Sequence, residues 1–153
     1  MNSAPNLHIS NAAAAILLAE DGRYILQLRD DLPHIWYPDH WGLFGGSVDP
    51  GESEVAALRR ELQEELELEI AVTRARLFTR LEFDLRPLGL ERYFRSYYEI
   101  TVSPAELGRL VLHEGAAMRS VPGEEILATK LVPYDAFALF LHHRKERLTG
   151  SPT

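Results

Sequence analysis

The stretch from Gly46 to Leu68, GSVDPGESEVAALRRELQEELEL, constrains this chain more than any other. It begins with a loop rich in Gly and Pro, and its apolar residues then recur at helical spacing, which predicts an amphipathic helix. Ser53 suits the N-cap of that helix, and Glu54 places a carboxylate in the first turn, where the helix dipole stabilises it. The predicted apolar stripe consists of Val55, Leu58, Leu62 and Leu66.

Three glutamates share one face of the predicted helix. Glu61, Glu64 and Glu65 stand at positions i, i+3 and i+4, so their side chains project together beside the apolar stripe. Carboxylates held this close repel one another unless a cation neutralises them. Their oxygens prefer a hard divalent ion, Mg²⁺ or Mn²⁺, to zinc. Taken alone, the segment fits a solvated acidic helix face better, so the rest of the pattern decides between the two interpretations.

The spacing around these glutamates resembles the Nudix box of the Nudix hydrolase family. Gly46 is followed after five residues by Glu52, and after seven more by the run 60–65, RELQEE. At a usage of roughly 7% per residue type, six fixed residues coincide by chance with a probability on the order of 10⁻⁷ per starting point. Glu67 departs from the family, which usually has Gly there to end the helix. The departure concerns the geometry of the helix exit and not the ligands.

The resemblance implies roles for the residues of this stretch. Glu61, Glu64 and Glu65 would hold Mg²⁺ or Mn²⁺, and Glu61 and Glu64 would also take part in catalysis. The glycines before the helix let the backbone approach a metal or a phosphate closely, so Gly45 is a further candidate metal ligand. The family's internal ion pair is matched here by two residues that would fix the loop to the helix and support the ligands, Glu52 and Arg60.

The general base has several candidates. Glu64 or Glu65 could accept the proton, and a hydroxide on the metal could suffice. Outside the helix the best candidate is Glu114, in a turn next to Gly115, where similar Nudix proteins often place an additional acidic residue beside the metals. An ordinary turn glutamate is the equally weighted alternative. If Glu114 is catalytic, its turn must lie on the same side of the sheet as the glutamate face of the helix.

Candidate substrate-binding residues lie at the ends of predicted elements. Arg29 follows a predicted strand, and many Nudix proteins carry there an Arg that faces the substrate's phosphates; a solvated surface Arg is the alternative. Tyr134 and Asp135, at the start of the last predicted helix, could stack on a base and read its edge. The aromatic loop 30–40 could line a pocket or pack as a lid. Weaker candidates for a polyphosphate or sugar are Arg80, Arg92 and Arg95.

The order of predicted elements indicates an α/β fold. Two apolar runs at 12–19 and 24–28 flank an Asp-Gly turn and predict a hairpin, although the four alanines could instead begin a helix. Further strands are predicted at 69–74, 76–85, 90–102, 110–112 and 117–121, and a closing helix at 133–147. Strands on either side of a central helix predict a mixed sheet packed between helices. The resemblance implies the same architecture, a Nudix-type α/β/α sandwich.

Composition narrows the class of protein. The 153 residues predict one domain, 1–153 with its core at about 10–145. A formal charge of −7 without a basic patch argues against a nucleic-acid polymer as partner, and the absence of cysteine excludes disulfides and thiol chemistry. The N-terminus lacks the basic region of a signal peptide, and no run is long enough to span a membrane. The cytoplasm is therefore the expected location, without membrane attachment, and a homodimer stays open.

The sequence as a whole favours an enzyme. The expected activity is Mg²⁺-dependent hydrolysis, by metal-activated water, of the diphosphate linkage in a small-molecule nucleoside diphosphate derivative. Two substrate classes compete within this interpretation, nucleoside diphosphate sugars and nucleoside triphosphates. The alternative is a non-catalytic Nudix-fold module that binds or senses a nucleotide, for which lost glutamates would be typical; here every acidic position is present. A scaffold protein with an accidental motif is rejected on the chance estimate.

Overall fold

The computed structural model describes residues 7–150 and shows seven strands in one sheet. The strands are β1 (Ala12–Ala19), β2 (Tyr24–Leu28), β3 (Trp41–Gly42), β4 (Phe44–Ser47), β5 (Arg76–Asp84), β6 (Arg92–Val102) and β7 (Ala117–Val121). The helices are α1 (Glu54–Leu66), α2 (Pro104–Arg109), α3 (Pro133–His143) and α4 (Lys145–Thr149). The sheet order is β3-β2-β1-β6-β5, with β4 also paired to β1 and β7 to β2. Since β1 and β6 are parallel and the other pairs antiparallel, the sheet is mixed, as predicted.

The strand β1 lies between two helical layers. Alternate residues point to opposite faces of a strand, and Ala13 and Ala15 accordingly pack in the cluster that contains Leu58 of α1. Ala14 packs instead in the cluster that contains Leu139 of α3. Residues 13–17 are fully buried, so both faces of the strand are covered along its centre, which explains why it is a continuous apolar run. The predicted α/β/α sandwich is confirmed.

The alanine run forms the first strand of a hairpin because its turn has the required chemistry. Asp21 accepts a hydrogen bond from the Arg23 N–H at 3.1 Å, and Gly22 adopts φ +87°. The backbone of Ala19 closes the turn through hydrogen bonds with Arg23 and Gly22, both at 2.9 Å. The prediction of a hairpin is confirmed, and the helical alternative is wrong.

Two predicted strands are absent from residues 7–150. Segment 69–74 is irregular and ends in a short 3₁₀ turn at Val72–Arg74. Segment 110–112 is irregular because its hydrogen bonds go to a helix end: the Val111 N–H donates to the Leu66 carbonyl at 3.1 Å. The last turn of a helix leaves carbonyls unpaired, and this segment pairs one of them instead of joining the sheet.

The end of α1 accommodates Glu67. This residue takes the left-handed conformation, φ 53°, that the family's usual Gly would adopt, and its N–H donates to the Gln63 carbonyl at 3.0 Å. The Leu68 N–H donates to the Leu62 carbonyl at 3.2 Å, which completes the cap. The left-handed conformation costs a non-glycine residue about 1–2 kcal/mol. The substitution therefore keeps the exit geometry at a local cost in stability.

The closing helix is shorter than predicted. It breaks at Arg144, whose backbone angles of φ −105° and ψ 9° separate α3 from α4. Among residues 7–150 no helix is both long and apolar enough to cross a bilayer.

Candidate active site

The start of α1 is tied to the sheet by one carboxylate. Ser53 caps the helix by accepting a hydrogen bond from the Ala56 N–H at 3.1 Å. Glu54 accepts hydrogen bonds from the hydroxyls of Ser96 at 2.7 Å and Tyr98 at 3.1 Å, and it also pairs with Arg80. These contacts set the orientation of α1 over β6. They also occupy Arg80, which therefore does not lie free for a phosphate, contrary to its weak candidacy.

The loop before α1 is held by the predicted ion pair. Arg60 donates from Nε and Nη2 to the two carboxylate oxygens of Glu52, both at 2.9 Å, and from Nη2 to the Ser47 carbonyl at 3.0 Å. The hydrogen bonds from Arg60 and from the Asp49 N–H lower the pKa of Glu52 to about 2. Glu52 is therefore ionised at any physiological pH, and the pair braces the loop against the helix.

Two glycines allow the sheet to approach the glutamates of α1. The Gly45 N–H donates to Glu65 Oε2 at 3.1 Å, and its φ of +139° favours glycine. A Cβ at Gly45 would lie 2.2 Å from the Ala13 carbonyl oxygen. A Cβ at Gly46 would lie 2.5–2.8 Å from the carboxylate atoms of Glu61. The Gly-Gly pair thus provides the space in which two of the predicted ligands sit.

Glu61 and Glu65 share this space with Glu114, and the pKa values of the two helix glutamates are raised. Glu65 is only 4% exposed. Burial, together with the carboxylates of Glu114 and Glu61, raises the pKa of Glu65 to about 9. Burial also raises the pKa of Glu61; the Arg60 guanidinium offsets this, and Glu64 and Glu114 add to it. Glu61, Glu65 and Glu114 line one cavity, so the structure brings Glu114 to the glutamate face of α1.

The turn that carries Glu114 is fixed by contacts on both sides. The His113 N–H donates to the Glu65 carbonyl at 2.9 Å, and Gln27 Nε2 donates to the Glu114 carbonyl at 2.9 Å. Gly115 has φ +90°, and a Cβ there would lie 2.7 Å from Gln27. Sequence reasoning missed Gln27. The available signal was a polar residue in the otherwise apolar strand β2, where it is 4% exposed.

Glu64 is placed differently from the other two helix glutamates. Its side chain is 59% exposed and lies 3.6 Å from Arg60 Nη1, while Glu61 accepts a hydrogen bond from the same nitrogen at 2.9 Å. Within residues 7–150, no three acidic or histidine side chains converge closely enough to hold an ion as they stand. Glu61 and Glu65 accept hydrogen bonds from Arg60 and from the Gly45 N–H, respectively.

The residues nevertheless fit a divalent cation. Glu65 is buried, its pKa is raised to about 9, and it accepts a hydrogen bond from the neutral Gly45 N–H. A bound cation would favour the ionised form of this carboxyl group and relieve its repulsion from Glu61 and Glu114. All these donors are oxygens, which suits a hard ion. Rotation of Glu61 and Glu64 away from Arg60 would supply further ligands from the same helix face.

The carboxylates open onto a cavity of about 590 Å³. Arg29 lies at this cavity, and its contact with a substrate's phosphates stays a prediction. Its Nε donates to the Trp36 carbonyl at 2.7 Å, and within residues 7–150 it forms no ion pair. Trp36 and Tyr37, from the loop 30–40, line the same cavity, whereas His34 and His40 do not. The loop is therefore a cavity wall, which favours the pocket interpretation over a lid packed on the core.

The two predicted base-binding residues have different environments. Tyr134 lines the cavity, with the Tyr37 ring edge-on at 5.9 Å. Asp135 does not line it: its side chain is 3% exposed and accepts hydrogen bonds from the Leu43 N–H and the Tyr97 hydroxyl, both at 3.0 Å. The expectation that Asp135 contacts the substrate directly is thus wrong for this conformation. The first turn of α3 points the carboxylate into the sheet, where it holds other groups.

The strand arginines also separate into two kinds. Arg95 lies at the cavity and pairs with Asp135, Nε to Oδ1, at 3.0 Å. Arg92 is 66% exposed, lies 3.8 Å from Asp84, and does not line the cavity. Of the three weak candidates, only Arg95 lines the cavity.

Comparison with known proteins agrees with this architecture. A family model described as the NUDIX domain matches residues 8–149. The nucleoside triphosphatase NudI of Escherichia coli is 43% identical over 58 residues, a match that spans 37% of this chain and only 40% of that protein. The structure of the MutT protein from Methanosarcina mazei Go1 superposes with a TM-score of 0.70 at 20% identity, covering 93% of this chain and 99% of the other.

A second solved structure, the MutT NUDIX hydrolase from Burkholderia pseudomallei, has a TM-score of 0.66 at 25% identity and covers 85% of this chain and 95% of that one. The family model covers nearly all of the described residues, and the glutamate helix, its glycine loop and the mixed sheet are those that the motif implied. The chain belongs to the Nudix hydrolase family.

Proposed function

We propose that this protein is a divalent-metal-dependent pyrophosphohydrolase that cleaves the diphosphate linkage of a small nucleoside diphosphate derivative. The observation that carries the proposal is the meeting of Glu61, Glu65 and Glu114 at one cavity that is also lined by Arg29. Acidic groups that could hold a metal and a basic group that could hold a phosphate are both needed to bring a negatively charged substrate to water.

The ligands of the ion would come from α1 and the loop before it. Glu61, Glu64 and Glu65 would hold Mg²⁺ or Mn²⁺, with the backbone of Gly45 as a further ligand. When bound, a divalent ion supplies positive charge for the phosphate oxygens and lowers the pKa of water. Family members generally use such an ion, which supports this assignment. The brace between Glu52 and Arg60 would keep the loop in register with the helix.

The remaining steps would fall to side chains around the cavity. Arg29 donates to oxygens of the phosphate that does not react and so orients the diphosphate. A water oxygen attacks phosphorus, the bridging P–O bond breaks, and the leaving phosphate departs with the bridging oxygen. Glu114 accepts the proton of the attacking water, a role supported by its place beside Glu61 and Glu65 and by its fixed turn.

A nucleoside triphosphate is the favoured substrate class. The local similarity to a protein named nucleoside triphosphatase supports it, although that match spans less than half of the relative. Nucleoside diphosphate sugars remain the competing class, since a cavity of about 590 Å³ accommodates either. A regulatory module that binds without cleaving is disfavoured because no acidic position of the motif is lost.

Four further expectations stay predictions from the sequence. They are the single-domain boundaries, the cytoplasmic location, the absence of nucleic-acid and membrane partners, and a homodimer as one possible assembly. None of them is needed for the chemistry above.

The proposed function is tested by incubating the protein with nucleoside triphosphates and nucleoside diphosphate sugars in Mg²⁺, Mn²⁺ or EDTA, and by separating the products chromatographically. Release of nucleoside phosphates that requires the metal supports the proposal and ranks the two substrate classes. Saturable nucleotide binding without cleavage of any substrate would contradict it and would favour the regulatory module. Glu69→Gln, an exposed glutamate just beyond α1, is the matched control for variants of the helix glutamates.

A further inference from the structure

Arg95 is held rigidly at the wall of the cavity. Its Nε donates to Asp135 Oδ1 at 3.0 Å and its Nη2 approaches Asp135 Oδ2 at 3.5 Å. The guanidinium carbon lies 5.0 Å from the centre of the Tyr134 ring and 5.5 Å from that of Tyr97. The side chain is only 17% exposed. A charged carboxylate and two aromatic rings therefore fix both the position and the plane of this guanidinium.

The contact with Asp135 uses only one edge of the guanidinium. A guanidinium has five N–H donors, and Asp135 takes the edge formed by Nε and Nη2. Nη1 contacts no hydrogen-bond acceptor within residues 7–150, and it is not among the buried polar atoms that lack a partner there. The end formed by Nη1 and Nη2 is thus accessible. Since Arg95 lines the cavity, this end is available to a ligand inside it.

Asp135 serves as the support of this donor pair. It also accepts hydrogen bonds from the Leu43 N–H and the Tyr97 hydroxyl, which anchor it to β6 and to the loop before β4. A buried ion pair contributes little net stability compared with apolar residues of the same shape. The ion pair therefore adds little to the stability of the fold. A fixed pair of donors facing a cavity is, however, well suited to recognise a ligand.

We propose that Arg95 is the residue that selects the base of the nucleotide, and that it selects bases with a carbonyl edge (guanine, uracil or thymine) over bases with an amino edge (adenine or cytosine). The inference rests on the proposed function only in taking the ligand to be a nucleotide. Guanidinium donors match carbonyl oxygens, and two parallel donors match the adjacent O6 and N7 acceptors of guanine best. A base with an amino group at the position of the carbonyl oxygen would place a donor against the guanidinium donors and leave a buried donor unpaired.

Neighbouring residues of the cavity fit the same role. The Tyr134 ring lies beside the guanidinium, and the Tyr37 ring lies beside that of Tyr134, so the cavity offers aromatic surface on which a planar base can stack. Asp135, the residue that sequence reasoning assigned to the base, acts here through Arg95. The polarity of the subsite is thereby reversed, because a carboxylate would read amino groups while the guanidinium reads carbonyl groups.

The test measures binding of GMP, UMP, AMP and CMP to the metal-free protein by isothermal titration calorimetry. The expected order is GMP, then UMP, with AMP and CMP weaker than GMP by about tenfold to a hundredfold, the usual discrimination of a bidentate contact. Arg95→Lys keeps the charge beside Asp135 but loses the planar pair of donors, so it should bring all four affinities within about threefold of one another. The double variant Arg95→Met with Asp135→Asn removes both buried charges and should give the same result.

Arg92→Met is the matched control, since Arg92 is an exposed arginine of the same strand outside the cavity. It should keep the wild-type order of affinities. The proposal is overturned if AMP or CMP binds as tightly as GMP, if none of the four binds, or if Arg95→Lys leaves the order unchanged. Binding and hydrolysis separate the two claims. A protein that selects GMP but cleaves no nucleotide would refute only the proposed function. A protein that cleaves nucleotides of all four bases equally would refute only the role of Arg95.

Discussion

The backbone N–H of Gly45 donates a hydrogen bond to the carboxylate of Glu65 at 3.1 Å. This contact joins the end of the glycine loop to the helix that carries the glutamates. Glu65 is otherwise buried, and its carboxyl group interacts with those of Glu114 and Glu61, which raise its pKa. The site is therefore built with a surplus of acidic groups.

Glu65→Gln should stabilise the metal-free protein. At neutral pH the fold must protonate Glu65, whose pKa is raised to about 9, whereas the unfolded chain leaves this carboxyl group ionised. Gln keeps the shape of the side chain without this cost, so in EDTA at neutral pH the free energy of unfolding should rise by about 1–3 kcal/mol. Thermal denaturation with EDTA and with Mg²⁺ measures the effect. Wild-type protein should gain stability from Mg²⁺, and the variant should gain much less.

The control is Glu64→Gln, at an exposed position, which should change metal-free stability by less than about 0.5 kcal/mol. A fall in the stability of Glu65→Gln in EDTA would contradict the account.

Alanine at the two loop glycines should have different effects, one on stability and the other on catalysis. In Gly45→Ala the new Cβ meets the rigid Ala13 backbone at 2.2 Å, so unfolding free energy should fall by about 3 kcal/mol or more. In Gly46→Ala it meets only the movable end of Glu61, so the protein should fold but lose at least about tenfold in kcat. Urea denaturation and steady-state kinetics separate the two outcomes. Gly108→Ala, in open space within α2, is the control, and equal stability of both loop variants would count against this view of the loop.

Glu114→Gln should lower kcat more than it changes KM. If Glu114 accepts a proton in the transition state, its loss should cost about 10²–10⁴-fold in kcat. Steady-state kinetics at saturating Mg²⁺ measure both constants, with Glu124→Gln, an exposed glutamate near β7, as the control. An unchanged kcat would move the base to the helix or to a hydroxide on the metal.

A separate buried cluster should make stability depend on pH. Tyr24 donates to His142 Nδ1 at 2.7 Å, and His142 Nε2 donates to Glu99 at 2.6 Å. Burial lowers the pKa of His142 below 6.5, an effect that Glu99 offsets only in part. The unfolded chain therefore binds this proton first as pH falls, so the stability that neutral His142 contributes is present above about pH 6.5 and is lost below it.

Urea denaturation at pH 7.5 and pH 5.0 tests the role of His142. Other groups also titrate in this range, so the comparison is with His142→Gln, which should be less stable at pH 7.5 but should lose less stability on acidification than wild type. His34→Gln, an exposed histidine, should keep the wild-type difference between the two pH values. A wild-type difference in His142→Gln as well would exclude His142 as the source.

Local signals in the sequence predicted the elements whose causes are local. Helix α1 followed from its cap and its apolar spacing, and the first hairpin followed from the Asp-Gly turn. Segment 110–112 resembled a strand because it is a short apolar run. Its sequence does not indicate that the Val111 N–H donates to the Leu66 carbonyl at the end of α1. Only the fold decides which backbone groups are left for such a segment to pair.

The same distinction applies to the site. The glutamates of α1 and the partners Glu52 and Arg60 lie within one short stretch, so their spacing could be recognised. Gln27, by contrast, matters only because the sheet brings it to the turn of Glu114. The sequence marked Asp135 as a base-binding residue and Arg95 only as a weak candidate. In the structure the two residues pair between β6 and α3, and it is Arg95 that lines the cavity while Asp135 is buried behind it. No spacing in the sequence encodes that contact.

The central claim is that the glutamates of α1 hold a catalytic divalent ion. The most direct test is kcat/KM for the best nucleotide substrate at saturating Mg²⁺, compared between Glu65→Gln and the control Glu69→Gln. Loss of a ligand carboxylate should lower kcat/KM by about 100-fold or more, while circular dichroism and metal-free stability show an intact fold. Activity of Glu65→Gln within a few-fold of the control would contradict the account.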